Sequence, residues 1–175
     1  MLTEQQFPYI NQQFDAAQVA PHQMDLLWNA GWRHFGTQFF RYNLGFYEYE
    51  IRRVIPLRIR LEDFKFSKSQ RRALKRNQDL ETIIRPTEID AEREALFNRH
   101  KRRFKSGVPD SIYDFLSEMD PARVPCPSLE VDVFENGKLV AASFFDVGRE
   151  AVSGVYGMFE PTETSRGLGI FTMLA

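Results

Sequence analysis

Hydrophobic and polar positions alternate with a period of two through much of the last third of the chain. The alternation runs through Leu129–Glu135 and resumes over Leu139–Val147, and Asn136-Gly137 between them is typical of a two-residue hairpin turn. After a second turn at 148–151, the alternation returns over Val152–Phe159. The sequence therefore predicts a three-stranded antiparallel meander.

Helix-capping residues predict helices in the middle of the chain. Ser67 is followed three residues later by Gln70, the pattern of a capping box, so we expect a helix from Ser67 to about Leu80. Thr87–Asp90 has the same form and predicts a second helix that ends near Lys105. Asp110-Ser111 predicts a shorter helix that reaches Met119.

The first third of the chain carries shorter patterns. Pro21 precedes Met24–Ala30, which is predicted to form a short helix. Aromatic and polar residues alternate across Gln38–Tyr49, so we expect a strand or a hairpin around Gly45, and Val54–Leu61 predicts another strand. At the other end, Thr164–Leu174 is predicted as a glycine-bearing loop that opens into an apolar helix, whose first N–H groups suit an anion.

Composition limits the class of protein. With 175 residues, 43% of them hydrophobic, the chain is expected to form one folded domain, or one domain with a small accessory region. The single cysteine, Cys126, excludes an internal disulfide and a Cys-pair metal site. The chain begins without a signal-peptide pattern and contains no membrane-length apolar segment, so we expect a cytoplasmic protein without a membrane partner. His22 and His34 have no Cys, Asp or Glu at ligand spacing, so no metal is expected.

Charge is strongly segregated although the formal net charge is only −1. Residues 52–105 hold 17 Lys and Arg against 8 Asp and Glu, and the flanking segments are acidic. The predicted helix after Ser67 carries most of its positive charge on one face, at Lys68, Arg71, Arg72, Lys75 and Arg76. Such a row suits a nucleic-acid backbone, and an ordinary solvated basic face explains it equally well. A second basic run, 99–105, leaves the same two interpretations open.

The predicted elements together resemble the first half of the N-acetyltransferase-like (GNAT) fold, an α+β fold built on an antiparallel meander with flanking helices. A more specific resemblance is to the aminoacyl-tRNA–protein transferase family, which covers nearly the whole chain. Three sequence blocks carry it: 26–42, with a double leucine and a Gly-aromatic-Arg segment, 67–80, with Ser-x-Ser-Gln-Arg-Arg and Arg-Asn-x-Asp-Leu, and 156–169, with an acidic-Pro turn and Arg-Gly-Leu-Gly.

The resemblance implies an arginyltransferase with two parts. Residues 1–80 would form an N-terminal region with the basic helix, and residues 81–175 the first half of a GNAT-like domain. The implied partners are aminoacyl-tRNA, most simply arginyl-tRNA, and acceptor proteins that begin with Asp or Glu. The implied chemistry is attack of the acceptor's α-amine on an ester that is already activated, which needs alignment, proton removal and oxyanion stabilisation but no cofactor or metal.

The resemblance and the chemistry that it implies also suggest candidate site residues. Tyr156 on the third strand, Glu160 at its end and Asp146 at the end of the second strand are candidates for catalytic polar groups. Core packing for Tyr156 and turn chemistry for the two carboxylates are the alternatives. The tRNA would contact Ser67, Lys68, Arg71, Arg72, Lys75 and Arg76, and the aminoacyl-adenosine end would meet the loop of Arg166, Gly167 and Gly169.

Two departures from the family pattern bear on activity. Family members carry a cysteine cluster near the position of Asn43–Glu48, and this chain has no cysteine there. The chain also ends at Ala175, within the predicted glycine-loop helix, so we expect residues 1–175 to bind RNA at best and to transfer little. An RNA-binding remnant and an acetyl-CoA-dependent N-acetyltransferase are therefore alternatives, although acetyltransferases carry Gln or Arg where this chain has Thr164.

Overall fold

The computed structural model describes residues 8–163 and 165–175, and Thr164 lies outside them. These residues form a mixed fold of short helices and antiparallel sheets. The strands are β1 Asn11–Asp15, β2 Arg33–Phe35, β3 Gln38–Tyr42, β4 Leu44–Tyr47, β5 Glu50–Arg53, β6 Glu81–Pro86, β7 Ser128–Glu135, β8 Lys138–Val147 and β9 Val152–Phe159. The helices are α1 Pro21–Asn29, α2 Lys68–Arg76, α3 Ala91–His100 and α4 Leu168–Phe171.

The predicted meander is confirmed as β7, β8 and β9, which pair antiparallel in the order of the sequence. Asn136 and Gly137 form the first turn, both with positive φ, as an Asn-Gly hairpin requires. A fourth strand, β6, pairs with β7 at the other edge and was not predicted. Its side chains are mostly exposed and it ends in Pro86, so its pattern lacks the buried face that marks a strand in a sequence.

Helices cover the two faces of this sheet. Successive residues of a strand point to opposite faces, and Ala142 belongs to one apolar cluster while Ala141 belongs to another. On the first face, Leu96 and Phe97 of α3 pack against β8 and β9. On the second face, Leu168 and Phe171 of α4 pack together with Leu74 and Leu80. The helix that carries the basic face and the glycine-loop helix therefore share one side of the sheet.

Helix starts agree with the sequence in one case and differ in another. Ser67 and Gln70 form the predicted capping box, with Gln70 N donating to Ser67 Oγ at 3.2 Å. The prediction for α3 was wrong by three residues, since Asp90 is the cap and its carboxylate accepts from Arg93 N at 2.9 Å. The Thr87 hydroxyl instead hydrogen-bonds Ser128 Oγ of β7, so it is not available to cap the helix.

The ends of all three helices predicted in the middle of the chain were overestimated, and α2 ends at Arg76 rather than near Leu80. Helix α3 ends at His100 and continues as a single 3₁₀ turn, Lys101–Arg103, rather than as α-helix to Lys105. The segment capped by Ser111 is a 3₁₀ turn, Ile112–Asp114, and Met119 beyond it is exposed. Short segments of this kind are common where tertiary packing rather than helix propensity fixes the backbone.

Predictions for 38–61 need two corrections. Gln38–Tyr49 divides into β3 and β4, and β4 pairs with β5 around a turn at Glu48-Tyr49, so Gly45 lies inside a strand opposite Arg52. Val54–Leu61 is not a strand, and no strand of the described residues pairs with it. Its apolar side chains are largely exposed, and Pro56 removes a backbone donor that a paired strand needs.

The N-terminal sheet, in the order β1-β3-β2, packs with α1 around a cluster of Met24, Phe39 and Cys126. Asp25 of α1 also accepts backbone hydrogen bonds from all three residues 149–151 in the β8–β9 turn, at 3.0 to 3.2 Å. A Cβ at Gly148 would lie 2.1 Å from Asp25 Oδ1, so this contact requires glycine there. No helix in the described parts of the chain is long and apolar enough to cross a bilayer.

A buried network of charges fixes α3 to the sheet. Arg93 is 1% exposed, and its guanidinium contacts Glu130 at 2.8 Å and also bonds Asp132, both fully buried on β7. Arg85 of β6 reaches the same two carboxylates at 2.8 and 2.9 Å. Removal of Arg93 would leave the two buried carboxylates with only the half-exposed Arg85 as a partner, so this network is a structural requirement once it exists.

Replacing Arg93 by Met should therefore lower the free energy of unfolding by about 3–5 kcal/mol, because two carboxylates lose their buried partner. Urea denaturation measures the change. Arg52→Met is the control, since the Arg52–Glu50 pair is on the surface and its loss should cost less than about 1 kcal/mol. Equal effects of the two substitutions would contradict the assigned role of Arg93.

Candidate functional site

The cationic face of α2 is exposed along its whole length. Five basic side chains of the helix are solvent-exposed, namely Lys68, Arg71, Arg72, Lys75 and Arg76, and Ala73 is its one buried residue. Like charges three and four residues apart repel one another and weaken an isolated helix. The capping box, the packing of Leu74 and the contacts at the C-terminal end compensate for this repulsion. The predicted tRNA-contacting residues are thus brought together on one surface.

The C-terminal end of α2 is tied to the glycine loop. Arg76 donates to the carbonyl of Ser165, and the side-chain amide of Asn77 donates to Arg166 O at 3.0 Å and to Ala73 O at 2.9 Å. Arg166 in turn forms a two-bond ion pair with Asp79 at 2.9 and 3.0 Å. This guanidinium lowers the pKa of the Asp79 carboxyl. The basic face and the loop therefore form one continuous region.

Arg166 is held within the protein rather than left open to a ligand. Besides Asp79, its guanidinium contacts Glu135 at 2.5 Å. Gly167 has φ +66°, which favours glycine, and a Cβ at Gly169 would lie 2.9 Å from the ring of Phe159. Both glycines are thus required by the local geometry: one for its backbone conformation and the other for a close approach to β9.

An open cleft of about 460 Å³ borders the glycine loop. Its residues are mostly apolar with one charge of each sign: Arg103, Phe159, Pro161, Glu163, Gly167, Leu168, Gly169 and Ile170. The Arg103 guanidinium lies over the Phe159 ring, 4.8 Å from its centre. An aromatic ring beside a guanidinium is a suitable surface for a nucleobase or another planar group.

Tyr156 lies on the α3 side of β9 within a group of aromatic rings. Its ring stacks on Phe115 at 4.2 Å and contacts Phe97 and His100. The hydroxyl is buried and has no hydrogen-bond partner among the described residues. Burial raises the pKa of Tyr156, and nearby Arg103 partly opposes this. Packing explains the ring, whereas an orphaned buried hydroxyl calls for a further explanation.

The two candidate carboxylates lie far apart. Glu160 accepts a hydrogen bond from Arg99 at 2.8 Å, and its backbone N donates to Val140 O at the start of β8. Asp146 is near the end of the same strand, about 20 Å away along β8. The structure therefore brings Glu160 near the cleft through its neighbours Phe159 and Pro161, and it does not bring Asp146 there.

Asp146 is instead part of a buried group with His34 and Cys126. His34 Nε2 lies 2.7 Å from Asp146 Oδ2, and one ligand atom from each of the three side chains lies within 4.8 Å of the others. Burial and the neighbouring Asp146 raise the pKa of Cys126, so this thiol is not an activated nucleophile. The prediction that His34 has no ligand-type neighbour considered only residues close to it in the sequence. It was wrong for the folded chain, because the two neighbours of His34 lie 92 and 112 positions away in the sequence.

Sequence reasoning missed two residues around the cleft and the glycine loop, and one residue of the buried group. Arg103 was recognised only as part of a basic run, Asn77 only as part of a motif, and His34 was set aside. Within that run, Arg99 pairs with Glu160, and Lys101 donates to Asp110 O at 2.6 Å. Residues of the basic run 99–105 thus stabilise the fold and line the cleft. Nothing in the sequence distinguishes these roles from that of a solvated helix face.

Two family models match this chain. The one described as Arginine-tRNA-protein transferase, N terminus, matches residues 3–72, and the one described as Arginine-tRNA-protein transferase, C terminus, matches residues 92–175. The chain belongs to this family. The resemblance carried by the three sequence blocks is thereby confirmed.

Curated relatives agree with the family assignment. A protein of Hahella chejuensis named aspartate/glutamate leucyltransferase is 31% identical over 123 residues, which are 69% of this chain and 52% of the relative. Its namesake in Nitrosococcus oceani is 36% identical over 68% of this chain and 51% of the relative. One in Agrobacterium fabrum is 30% identical over 89% of this chain and 65% of the relative. The chain spans about half the length of the first two.

The cysteine cluster that the family resemblance implies does not fit this chain. Residues Asn43–Glu48 include all of β4 and contain no thiol, and Cys126 is the only cysteine of the sequence. Thiolate ligation at that position is therefore not available, and no step of the chemistry is assigned to such a group.

His100, the last residue of α3, is expected to make the stability of the folded chain depend on pH. It is buried between Phe104, Tyr156 and Phe159, and its Nδ1 lies 3.0 Å from the carbonyl and 3.1 Å from the amide of Phe159. Burial is the main cause that lowers the His100 pKa, and the charge of Arg103 adds to it. The unfolded chain therefore binds a proton more readily than the folded one, and stability should fall as the pH drops below about 6.5.

We expect the His100→Gln variant to lose less stability than the wild type between roughly pH 7.5 and 5.5, because the residue that resists protonation is gone. Urea denaturation at several pH values gives the two slopes. His22→Gln, at an exposed position, should keep the wild-type slope. A His100→Gln slope equal to that of the wild type would show that His100 does not cause the pH dependence.

Proposed function

We propose that this protein takes part in aminoacyl-tRNA–protein transfer, the addition of an amino acid from tRNA to the N-terminal α-amine of another protein. The observation that carries the proposal is the continuity of the α2 basic face, the glycine loop and the cleft. Arg76 and Asn77 bond the carbonyls of Ser165 and Arg166, so the phosphate-binding face leads directly to a pocket that suits a nucleoside.

The α2 face is proposed to hold the tRNA backbone. Five exposed cations lie along about 13 Å of helix, and no acidic side chain of α2 itself neutralises them. Acidic residues near the C-terminal end, Asp79 and Glu135, are engaged by Arg166. The positive potential of the face is thus preserved for a polyanion, and binding should release counterions.

Replacing Arg71 and Arg72 together by Gln should weaken tRNA binding. The slope of log K against log salt concentration should become shallower by about two units, because each lost phosphate contact reduces it by about one unit. Filter binding or fluorescence anisotropy at several salt concentrations measures the slope.

The control is the double variant Arg123→Gln and Arg149→Gln. These arginines are exposed near the opposite end of the sheet, so the same charge is lost away from α2. An identical slope change in both double variants would mean that binding follows net charge rather than the α2 face, and would remove this role from α2.

The cleft is proposed to receive the aminoacyl-adenosine end of the tRNA. Phe159 and Arg103 offer a stacking surface, and Leu168, Ile170 and Pro161 offer apolar walls. The tRNA ester is already activated, so the protein must align it with the amine, accept a proton and stabilise the tetrahedral oxyanion. Glu160, next to the cleft, is the proposed group for orienting the amine or its proton, with Arg99 fixing its carboxylate.

Leucine is the proposed donor residue, and arginine is the alternative. The family description names arginine, whereas the curated relatives are named leucyltransferases. The mostly apolar cleft favours leucine, because a guanidinium would need a paired carboxylate, and Glu163 already lies 4.0 Å from Arg166. Acceptors that begin with Asp or Glu are proposed from the relatives' names.

Tyr156 does not line the cleft, so its orphaned hydroxyl is proposed to meet the substrate once the aromatic rings that cover it move. Tyr156→Phe should reduce transfer by roughly 10- to 100-fold while stability stays the same or rises, because the removed hydroxyl has no hydrogen-bond partner among the described residues. Transfer of radiolabelled leucine or arginine from tRNA to an Asp-initiated peptide gives the rate, and urea denaturation gives the stability.

Tyr113→Phe is the matched control, since the Tyr113 hydroxyl reaches Glu94 at 3.4 Å, away from the cleft. An active Tyr156→Phe variant would reduce Tyr156 to a packing residue. A wild type that binds tRNA but transfers neither amino acid would favour the RNA-binding remnant.

The remaining assignments are proposals of the same kind. The meander with α3 and the glycine loop supports a GNAT-like domain at 81–175, preceded by a region at 1–80, and a cytoplasmic location fits a tRNA-dependent function. The acetyl-CoA alternative has less support, because α4 has only four residues and Arg166 is already paired with Asp79 and Glu135.

A further inference from the structure

His34, Cys126 and Asp146 come from three different segments and meet in the interior. They lie on β2, on the proline-rich connection before β7, and on β8, and they are 7%, 1% and 3% exposed. They are about 20 Å along β8 from Glu160 and the cleft. The group thus has no part in the proposed transferase chemistry, yet it places nitrogen, sulfur and oxygen donors around one point.

The hydrogen bonds of His34 fix which ring nitrogen faces the group. Nδ1 lies 3.0 Å from the carbonyl oxygen of Gly36, which can only accept, so Nδ1 carries a proton. In the neutral ring Nε2 then carries a lone pair, and it lies 2.7 Å from Asp146 Oδ2, which is also an acceptor when ionised. Two acceptors at this distance require a positive charge between them, which a shared proton supplies at 2.7 Å and which a metal ion supplies once the pair opens to ligand spacing.

We propose that His34, Cys126 and Asp146 form a buried binding site for Zn²⁺. Imidazole nitrogen, thiolate sulfur and carboxylate oxygen are all ligands that zinc accepts. The charge also balances, since one thiolate and one carboxylate neutralise the ion in a buried region where an uncompensated charge would be costly. The donation from Nδ1 to Gly36 O is the outer contact that orients metal-binding histidines.

The distances allow the ion to bind with small movements. An ion at the centre of a triangle with sides no longer than 4.8 Å lies within about 2.8 Å of every corner, and zinc bonds are roughly 2.0–2.3 Å long. The Nε2–Oδ2 separation must open from 2.7 Å to about 3.3 Å, the spacing of neighbouring tetrahedral ligands. Rotation of the Asp146 carboxylate provides this.

Binding of Zn²⁺ would displace the protons that the three ligands hold in the metal-free protein. The Cys126 thiol gives up its proton, and the proton shared by His34 and Asp146 leaves with it, so Zn²⁺ replaces two protons that pass to solvent. Three protein ligands leave a fourth position of the tetrahedron for water. The ion would join the N-terminal sheet to β8 of the main sheet, and its binding should stabilise the folded chain.

The test uses the full 175-residue chain, freed of metal by a chelator and titrated with Zn²⁺ and, separately, with Co²⁺. We expect one Zn²⁺ per chain by calorimetry, a rise in Tm with Zn²⁺ concentration, and release of about two protons per ion in buffers of different ionisation enthalpy. Co²⁺ should give the visible bands of a tetrahedral site and a thiolate-to-cobalt charge-transfer band.

Variants distinguish this site from adventitious binding. Cys126→Ser is nearly isosteric, and it should abolish the charge-transfer band and weaken Zn²⁺ binding by more than the roughly 10- to 100-fold typical of a lost outer contact. His22→Gln, at an exposed histidine, should bind as the wild type does. A folded wild type without the charge-transfer band, or a Cys126→Ser variant with unchanged Zn²⁺ affinity, would overturn the proposal. Because the cobalt spectrum is read on the wild type, failure of a variant to fold leaves the test intact.

Discussion

The covering of β8 on both faces is the constraint on which the rest of the structure depends. The middle of this strand is apolar on both sides, so a helix must cover each side to exclude water. Helix α3 covers one face through Leu96 and Phe97, and α4 with the end of α2 covers the other. The cleft lies where these two coverings meet at the end of β9, between Arg103 beyond α3 and Gly169 of α4.

Charge is used in two opposite ways around this sheet. Arg93 is buried and contacts three carboxylates, because an unpaired guanidinium in the interior would be strongly destabilising. The five cations of α2 are exposed and form no ion pair with any of the described residues, because water solvates them at little cost. The first arrangement fixes α3 in place, and the second leaves a positive surface that supports the proposed binding of tRNA.

Because β8 and β9 are long, two chemically distinct groups of residues lie at their opposite ends. Glu160 and the cleft lie at one end of β8 and β9, and the group of His34, Cys126 and Asp146 lies at the other. The first group opens to solvent and borders the basic face, whereas the second is closed and joins the N-terminal sheet to the main sheet. Asp146, grouped with Tyr156 and Glu160 by sequence similarity, belongs to the second by position.

The sequence by itself determined the local features of this protein. The meander, the Asn136-Gly137 turn, the Ser67–Gln70 cap and the exposed basic face are set by neighbouring residues, through side-chain period, turn chemistry and capping. The family followed from contiguous motifs, which the two family models confirm. Such features need no knowledge of distant contacts.

Tertiary structure alone decided which distant residues meet. Thr87 caps no helix because Ser128 takes its hydroxyl, and Val54–Leu61 is not a strand because no strand among the described residues pairs with it. His34 has no ligand-type neighbour in sequence, yet it lies 2.7 Å from Asp146. Hydrogen bonds and ion pairs depend on distances of a few ångströms in space, and residues more than 90 positions apart reach those distances only after the sheets have packed.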